Sequence, residues 1–123
     1  MLIFSFMLIS CAGIGSLNSD YIIDDIILRN ATNAAIEDVQ IKVEKVNKIF
    51  SCNYILPKTE CSTSFPQRPY EGNRITISWK QNGRTIQTRP LQLTLGDELQ
   101  KGVPMKGIVV IQNGMAYSAY FEQ

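Results

Sequence analysis

From Val39 onward apolar and polar positions alternate: Val39, Ile41 and Val43 are separated by Gln40 and Lys42. A period of two places one set of side chains on each face of a pleated strand. Ile75, Ile77 and Trp79 repeat the pattern against Thr76, Ser78 and Lys80, and Asn82-Gly83 follows. Asn-Gly suits a type I′ hairpin, which needs positive φ at both central residues, and a two-residue loop sets Trp79 opposite Ile86 and Ile77 opposite Thr88. Beyond Pro90 the apolar parity switches from Ile86 to Leu91, Leu93 and Leu95, so a bulge or a crossing between sheets must fall near the proline. Asn113-Gly114 predicts a second hairpin, with Val110 facing Tyr117 and Ile108 facing Ala119. Both its faces are apolar, which suggests strands in the middle of a sheet. An opening strand is expected over residues 21–28, ended by the turn-prone run Asn30-Ala31-Thr32-Asn33. Ile36–Val46 is the best helical stretch, but its alternation and β-branched content favour a strand. Gly96–Gln100 has room for a single helical turn.

Seven or eight short strands with turn signals every eight to twelve residues predict an all-β chain, a small two-sheet antiparallel sandwich, with a small barrel as the alternative. In architecture it resembles immunoglobulin-like or transthyretin-like domains. Trp79 beside a hairpin invites the immunoglobulin comparison, but Cys52 and Cys61 are too close in sequence for the inter-sheet bridge of that family. At 123 residues the chain supports one core.

The first ten residues, Met1–Ser10, are uncharged and largely apolar and end at Cys11. As a helix they would span about 15 Å, half of a bilayer core, so they are no transmembrane segment. Leu8-Ile9-Ser10-Cys11 resembles the lipobox of bacterial lipoproteins, in which the cysteine receives a diacylglycerol thioether. The resemblance implies a removed signal segment at 1–10, a lipidated Cys11 with a flexible tether to residue 20, and a single β-sandwich domain over 21–123. Ala12, in place of the Asp that retains such proteins at the inner membrane, implies an outer-membrane anchor facing the periplasm. The sequence departs from a usual leader in having no Lys or Arg before Arg29. The competing reading makes this run a buried first strand with an ordinary core cysteine.

Cys52 and Cys61 are an even pair flanking the proline-led turn Leu56-Pro57-Lys58-Thr59, which predicts a hairpin that brings them together as a disulfide. Closing so small a loop stabilises by about 2.5 kcal/mol in the chain-entropy model. With no histidine, two thiolates are too few for a zinc site, and no metal or other cofactor is expected.

The same lack of histidine removes imidazole-based nucleophilic catalysis. Three acidic pairs, Asp24-Asp25, Glu37-Asp38 and Asp97-Glu98, keep a carboxylate hydrolase as the weakest alternative, because neighbours on a strand point to opposite faces. Twelve basic and eleven acidic residues leave a charge of +1, too little for nucleic-acid binding. Arg68, Arg74, Lys80, Arg84 and Arg89 concentrate the positive charge in mid-chain, as a solvated face or as a docking surface for an anionic partner. Asn30-Ala31-Thr32 matches a glycosylation sequon. The leading expectation is a noncatalytic module that binds or assembles with another envelope protein, and an inhibitor of a wall-degrading enzyme such as lysozyme is the alternative. Tyr54 and Leu56 at the cysteine turn, with Phe65, Arg68 and Tyr70 in the proline-interrupted loop that follows it, are the expected contacts, since aromatic and arginine side chains most often anchor interfaces.

Overall fold

A computed structural model of the chain describes residues 20–115 and 117–123. The lipobox, Cys11 and most of the tether lie outside the described residues. Eight strands follow one another: β1 (Ile22–Asn30), β2 (Ile36–Val43), β3 (Lys48–Ile55), β4 (Glu60–Pro69), β5 (Ile75–Gln81), β6 (Arg84–Gln87), β7 (Pro104–Ile111) and β8 (Tyr117–Glu122). They form two four-stranded sheets, one in the order β4-β1-β7-β8 and the other in the order β3-β2-β5-β6. The protein is an all-β two-sheet sandwich.

The pairing is antiparallel with one exception, since β1 runs parallel to β7 from Ile22 beside Pro104 to Asn30 beside Ile111. Alternation cannot reveal this, because a strand buried on one face reads the same whichever way its neighbour runs. The order also excludes one of the two architectures. In an immunoglobulin domain the first strand pairs with the second, whereas here β1 lies between β4 and β7, and β2 is in the other sheet.

The core fills the space between the sheets. Leu28, Met105, Val109 and Ile111 project from the first sheet against Val39, Ile41, Ile77 and Trp79 from the second, all fully or almost fully buried. Each of these buried side chains contributes about 1.5–3 kcal/mol relative to an exposed one. The Trp79 indole N–H finds no hydrogen-bond partner among the described residues, a cost that the area buried by its ring outweighs.

The β5–β6 hairpin has the register the sequence implies. Asn82 and Gly83 take φ of 53° and 77°, and Trp79 pairs with Ile86. The parity switch near Pro90 is a bulge: Gln87 pairs with Ser78, yet Leu91 pairs with Ile75, so the β6 side carries one extra residue. Thr88 bridges it, donating its N–H to the Ile77 carbonyl at 2.9 Å and accepting the Ile77 N–H on Oγ1 at 3.1 Å.

The terminal hairpin departs from expectation by one residue. Ile111 pairs with Tyr117, Val110 with Ser118 and Val109 with Ala119, so the connection is longer than two residues. Asn113–Met115 forms a short 3-10 turn with Gly114 at φ 76°. The slip carries Ala119 and Phe121 inward and leaves Tyr117 and Tyr120 partly exposed. Of the two strands of this hairpin β7 is interior and β8 is an edge.

Candidate functional site

β3 and β4 are the edge strands of opposite sheets on the same side of the sandwich, and the chain passes from one to the other through Leu56-Pro57-Lys58-Thr59. Cys52 and Cys61 are disulfide-bonded, with Cα atoms 6.6 Å apart. The pair is therefore correct and the hairpin is not: Cys52 sits opposite Val39 in the second sheet and Cys61 opposite Leu28 in the first. A bridge between cysteines nine positions apart does join the two sheets, because a short crossing turn at the sheet edges needs no long connection. Further along the same seam Phe50 and Phe65 stack with ring centroids 5.4 Å apart.

The end of the sandwich nearest the crossing turn is closed by polar side chains. Asn30, 1 % exposed, donates Nδ2 to the carbonyls of Ala34 at 2.9 Å and Ile55 at 3.0 Å. Its Oδ1 accepts the Thr32 N–H at 3.0 Å and the Thr32 hydroxyl at 2.6 Å. Gln81 Nε2 adds a bond to Thr32 Oγ1 at 2.8 Å. A buried amide is tolerated when its donors and acceptor are all used. Although Asn30 begins a sequon, in the folded protein its amide nitrogen is buried and engaged.

The crossing turn is pinned to this plug. Lys58 N–H donates to the Asn30 carbonyl at 2.7 Å, Asn30 N–H donates to the Thr59 carbonyl at 2.9 Å, and Lys58 Nζ reaches the Ala31 carbonyl at 2.9 Å. Lys58 has φ of 63°, a left-handed conformation that costs about 1–2 kcal/mol for a residue with a Cβ. On this clamped segment Tyr54 is 57 % and Leu56 53 % exposed.

The opposite end is open. A cleft of about 90 Å³ runs between the sheets, lined by Ile23 and Ile26 of β1, Val43 of β2, Ile75 of β5, Gly107 and Val109 of β7, and Phe121 of β8. Val46, Leu93 and Tyr70 extend the apolar wall, while Lys48, Arg68 and Glu71 stand at the same opening. Tyr70 meets Phe121 edge-on with centroids 4.8 Å apart. Burial raises the Tyr70 phenol above its ordinary pKa.

The expected contact residues thus separate along the seam. Tyr54 and Leu56 lie at the plugged end, Phe65 lies midway against Phe50, and Arg68 and Tyr70 lie at the cleft; Phe65 and Arg68 belong to strand β4 and not to a loop, because a proline is tolerated on an edge strand. Sequence reasoning missed Lys48, Gly107 and the Asn30 plug. Gly107 left one signal, as a glycine inside an apolar strand without a turn to explain it.

The mid-chain basic residues do not make one patch. Arg74 pairs with Glu44 at 3.1 Å and Lys80 approaches Asp38 at 4.0 Å, which neutralises two of the five, and Arg68 belongs to the cleft. The acidic pairs lie on β1, on β2 and in the loop before β7. Within the first, Asp25 is buried and both its carboxylate oxygens are within reach of the Ser62 hydroxyl, at 2.9 and 2.8 Å.

No protein-family model matches the chain, and no curated protein does. An NMR structure of a protein from Eubacterium rectale is similar in fold, with a TM-score of 0.51 over 81 % of this chain and 88 % of that one. At 11 % identity the likeness extends to the fold alone.

Proposed function

We propose that the protein is a noncatalytic binding module of the cell envelope, tethered to the outer membrane through Cys11 and holding another envelope protein at its clamped crossing turn. The observation that carries this reading is the pairing of two exposed apolar side chains, Tyr54 and Leu56, with a backbone held on both flanks. The disulfide fixes one side and the Asn30 hydrogen bonds the other. Ordering a loop on binding costs about 0.5–1.5 kcal/mol for each immobilised side chain, and a segment that is rigid beforehand avoids much of that. A disulfide formed in an oxidising compartment supports export.

The test is photo-crosslinking in intact cells. A photoreactive residue in place of Leu56 should give a discrete adduct with an envelope protein, and Tyr54→Ala should reduce it at least tenfold. The same probe at Gly83, on the far hairpin, should give none. Identical adducts from both positions, or an adduct indifferent to Tyr54→Ala, would end the reading. Separately, Cys11→Ser should move the protein from the membrane to the soluble fraction.

A further inference from the structure

We propose that the cleft at the open end is a binding site for a small anionic amphiphile, whose hydrocarbon part inserts between the sheets and whose carboxylate is held by Lys48 and Arg68. This goes beyond the partner-binding reading and does not rest on it, because it concerns the other end of the molecule.

Three observations lead there. The first is size and lining: a cleft of about 90 Å³ walled by Ile23, Ile26, Val43, Val109 and Phe121 is smaller than the roughly 150 Å³ apolar cavity that accepts benzene. It is also far below the ~300–1,000 Å³ of sites for drug-sized ligands. The fit is to an alkyl group, not to a nucleotide or a large cofactor. A longer chain would run out through the opening.

The second is charge. Lys48 and Arg68 both line the opening, and neither makes a salt bridge among the described residues, unlike Arg29, Arg74, Lys80 and Lys101. Lys48 instead lies over the Phe50 ring, with Nζ 6.0 Å from its centroid. Among the described residues the one carboxylate at the opening, Glu71, leaves the pair of cations in excess and takes a hydrogen bond from Asn73. Two cations above an apolar cleft match a ligand with one negative head and one hydrocarbon tail.

The third is Gly107. It sits inside the central strand β7, opposite Phe121, without the positive φ seen at Gly72, Gly83, Gly102 and Gly114. A Cβ there would meet Ile23, Ile26 and Leu93 at 3.8 Å each, an ordinary contact. Neither backbone geometry nor crowding calls for glycine, which weakens a strand interior relative to alanine. What its missing side chain leaves is space on the cleft wall.

The experiment is methyl NMR on the full-length chain carrying Cys11→Ser, titrated with octanoate, octan-1-ol and acetate. Octanoate should shift the methyls of Ile23, Ile26 and Val109 saturably, octanol should bind about three- to tenfold more weakly, as expected for the loss of two solvent-screened ion pairs, and acetate should not bind. The Lys48→Ala/Arg68→Ala double variant should bring octanoate down to the octanol level. Gly107→Val should abolish binding; if it fails to fold, Gly107→Ala should still weaken it. Equal affinity for octanoate and octanol, shifts spread away from the cleft, no saturable shift at all, or unchanged binding in a folded Gly107 variant would each overturn the proposal. None of these outcomes bears on crosslinking at Leu56.

Discussion

The two ends of the sandwich are built from the same strands and solve the problem of ending a hydrophobic core in opposite ways. At one end Asn30, Thr32 and Gln81 close the gap with hydrogen bonds, and the Cys52–Cys61 bridge fastens the two sheet edges together. At the other no such plug is present among the described residues, and Ile23, Ile26, Val109 and Phe121 line a cleft. The lesson is one of division of labour. Directional bonds and a covalent staple concentrate rigidity where the chain crosses between sheets, and the far end can then leave apolar surface unfilled, a place for recognition.

Three measurements bear on that contrast. The largest effect is expected from Asn30→Ala, which removes four hydrogen bonds at the plug and leaves buried backbone groups unpaired. It should lower stability by about 3 kcal/mol, read as a shifted urea midpoint with an unchanged slope. A loss below 1 kcal/mol would mean that the plugged end is no more rigid than the open one. Next is Cys52→Ala/Cys61→Ala, which should cost about 2.5 kcal/mol, or roughly 10–15 °C in melting midpoint. Hydrogen exchange should quicken first at the ends of β3 and β4.

The smallest effect is at the open end and depends on pH. Burial raises the folded-state pKa of Tyr70 above the value near 10 expected in the unfolded chain. The stability linked to its protonated phenol is fully present below pH ~10 and is lost as pH rises through the folded value. Tyr70→Phe should match the parent protein between pH 7 and 9, since its hydroxyl reaches only the Leu93 carbonyl at 3.5 Å. Above pH 10 the variant should retain stability that the parent loses. Parallel alkaline curves would show that the Tyr70 hydroxyl is solvated, and that this end is more open than its burial indicates.

Much of this fold was legible in the residues, and for local reasons. Alternation identified β2 and β5, Asn82-Gly83 located the β5–β6 hairpin and its register, and the parity switch before Leu91 marked a bulge or a crossing, of which the structure has the bulge. The terminal hairpin was misread by one residue because Asn113-Gly114 carries the same dipeptide signal while sitting in a longer connection. Of the surface proposed for binding, the disulfide partners and the exposure of Tyr54 and Leu56 could be anticipated from cysteine parity and a proline turn. The Asn30 plug could not, since a polar residue in a turn-prone run reads as solvated until its three partner residues, Thr32, Ala34 and the distant Ile55, are brought to it. Nor could the cleft, whose walls come from both sheets.

By itself, then, the amino-acid order determined most of the strands, though not the second half of β4 beyond Phe65, together with which of their faces is buried and which two thiols meet. Those properties depend on neighbours two to ten positions away. Tertiary structure alone decided that β1 lies parallel to β7, that the bridge joins two sheets instead of closing a hairpin, and that one end of the core is plugged while the other stays open. A strand's pattern records that one side avoids water but not what covers it, so the choice of neighbour, and every site made between neighbours, is made only when the sheets pack.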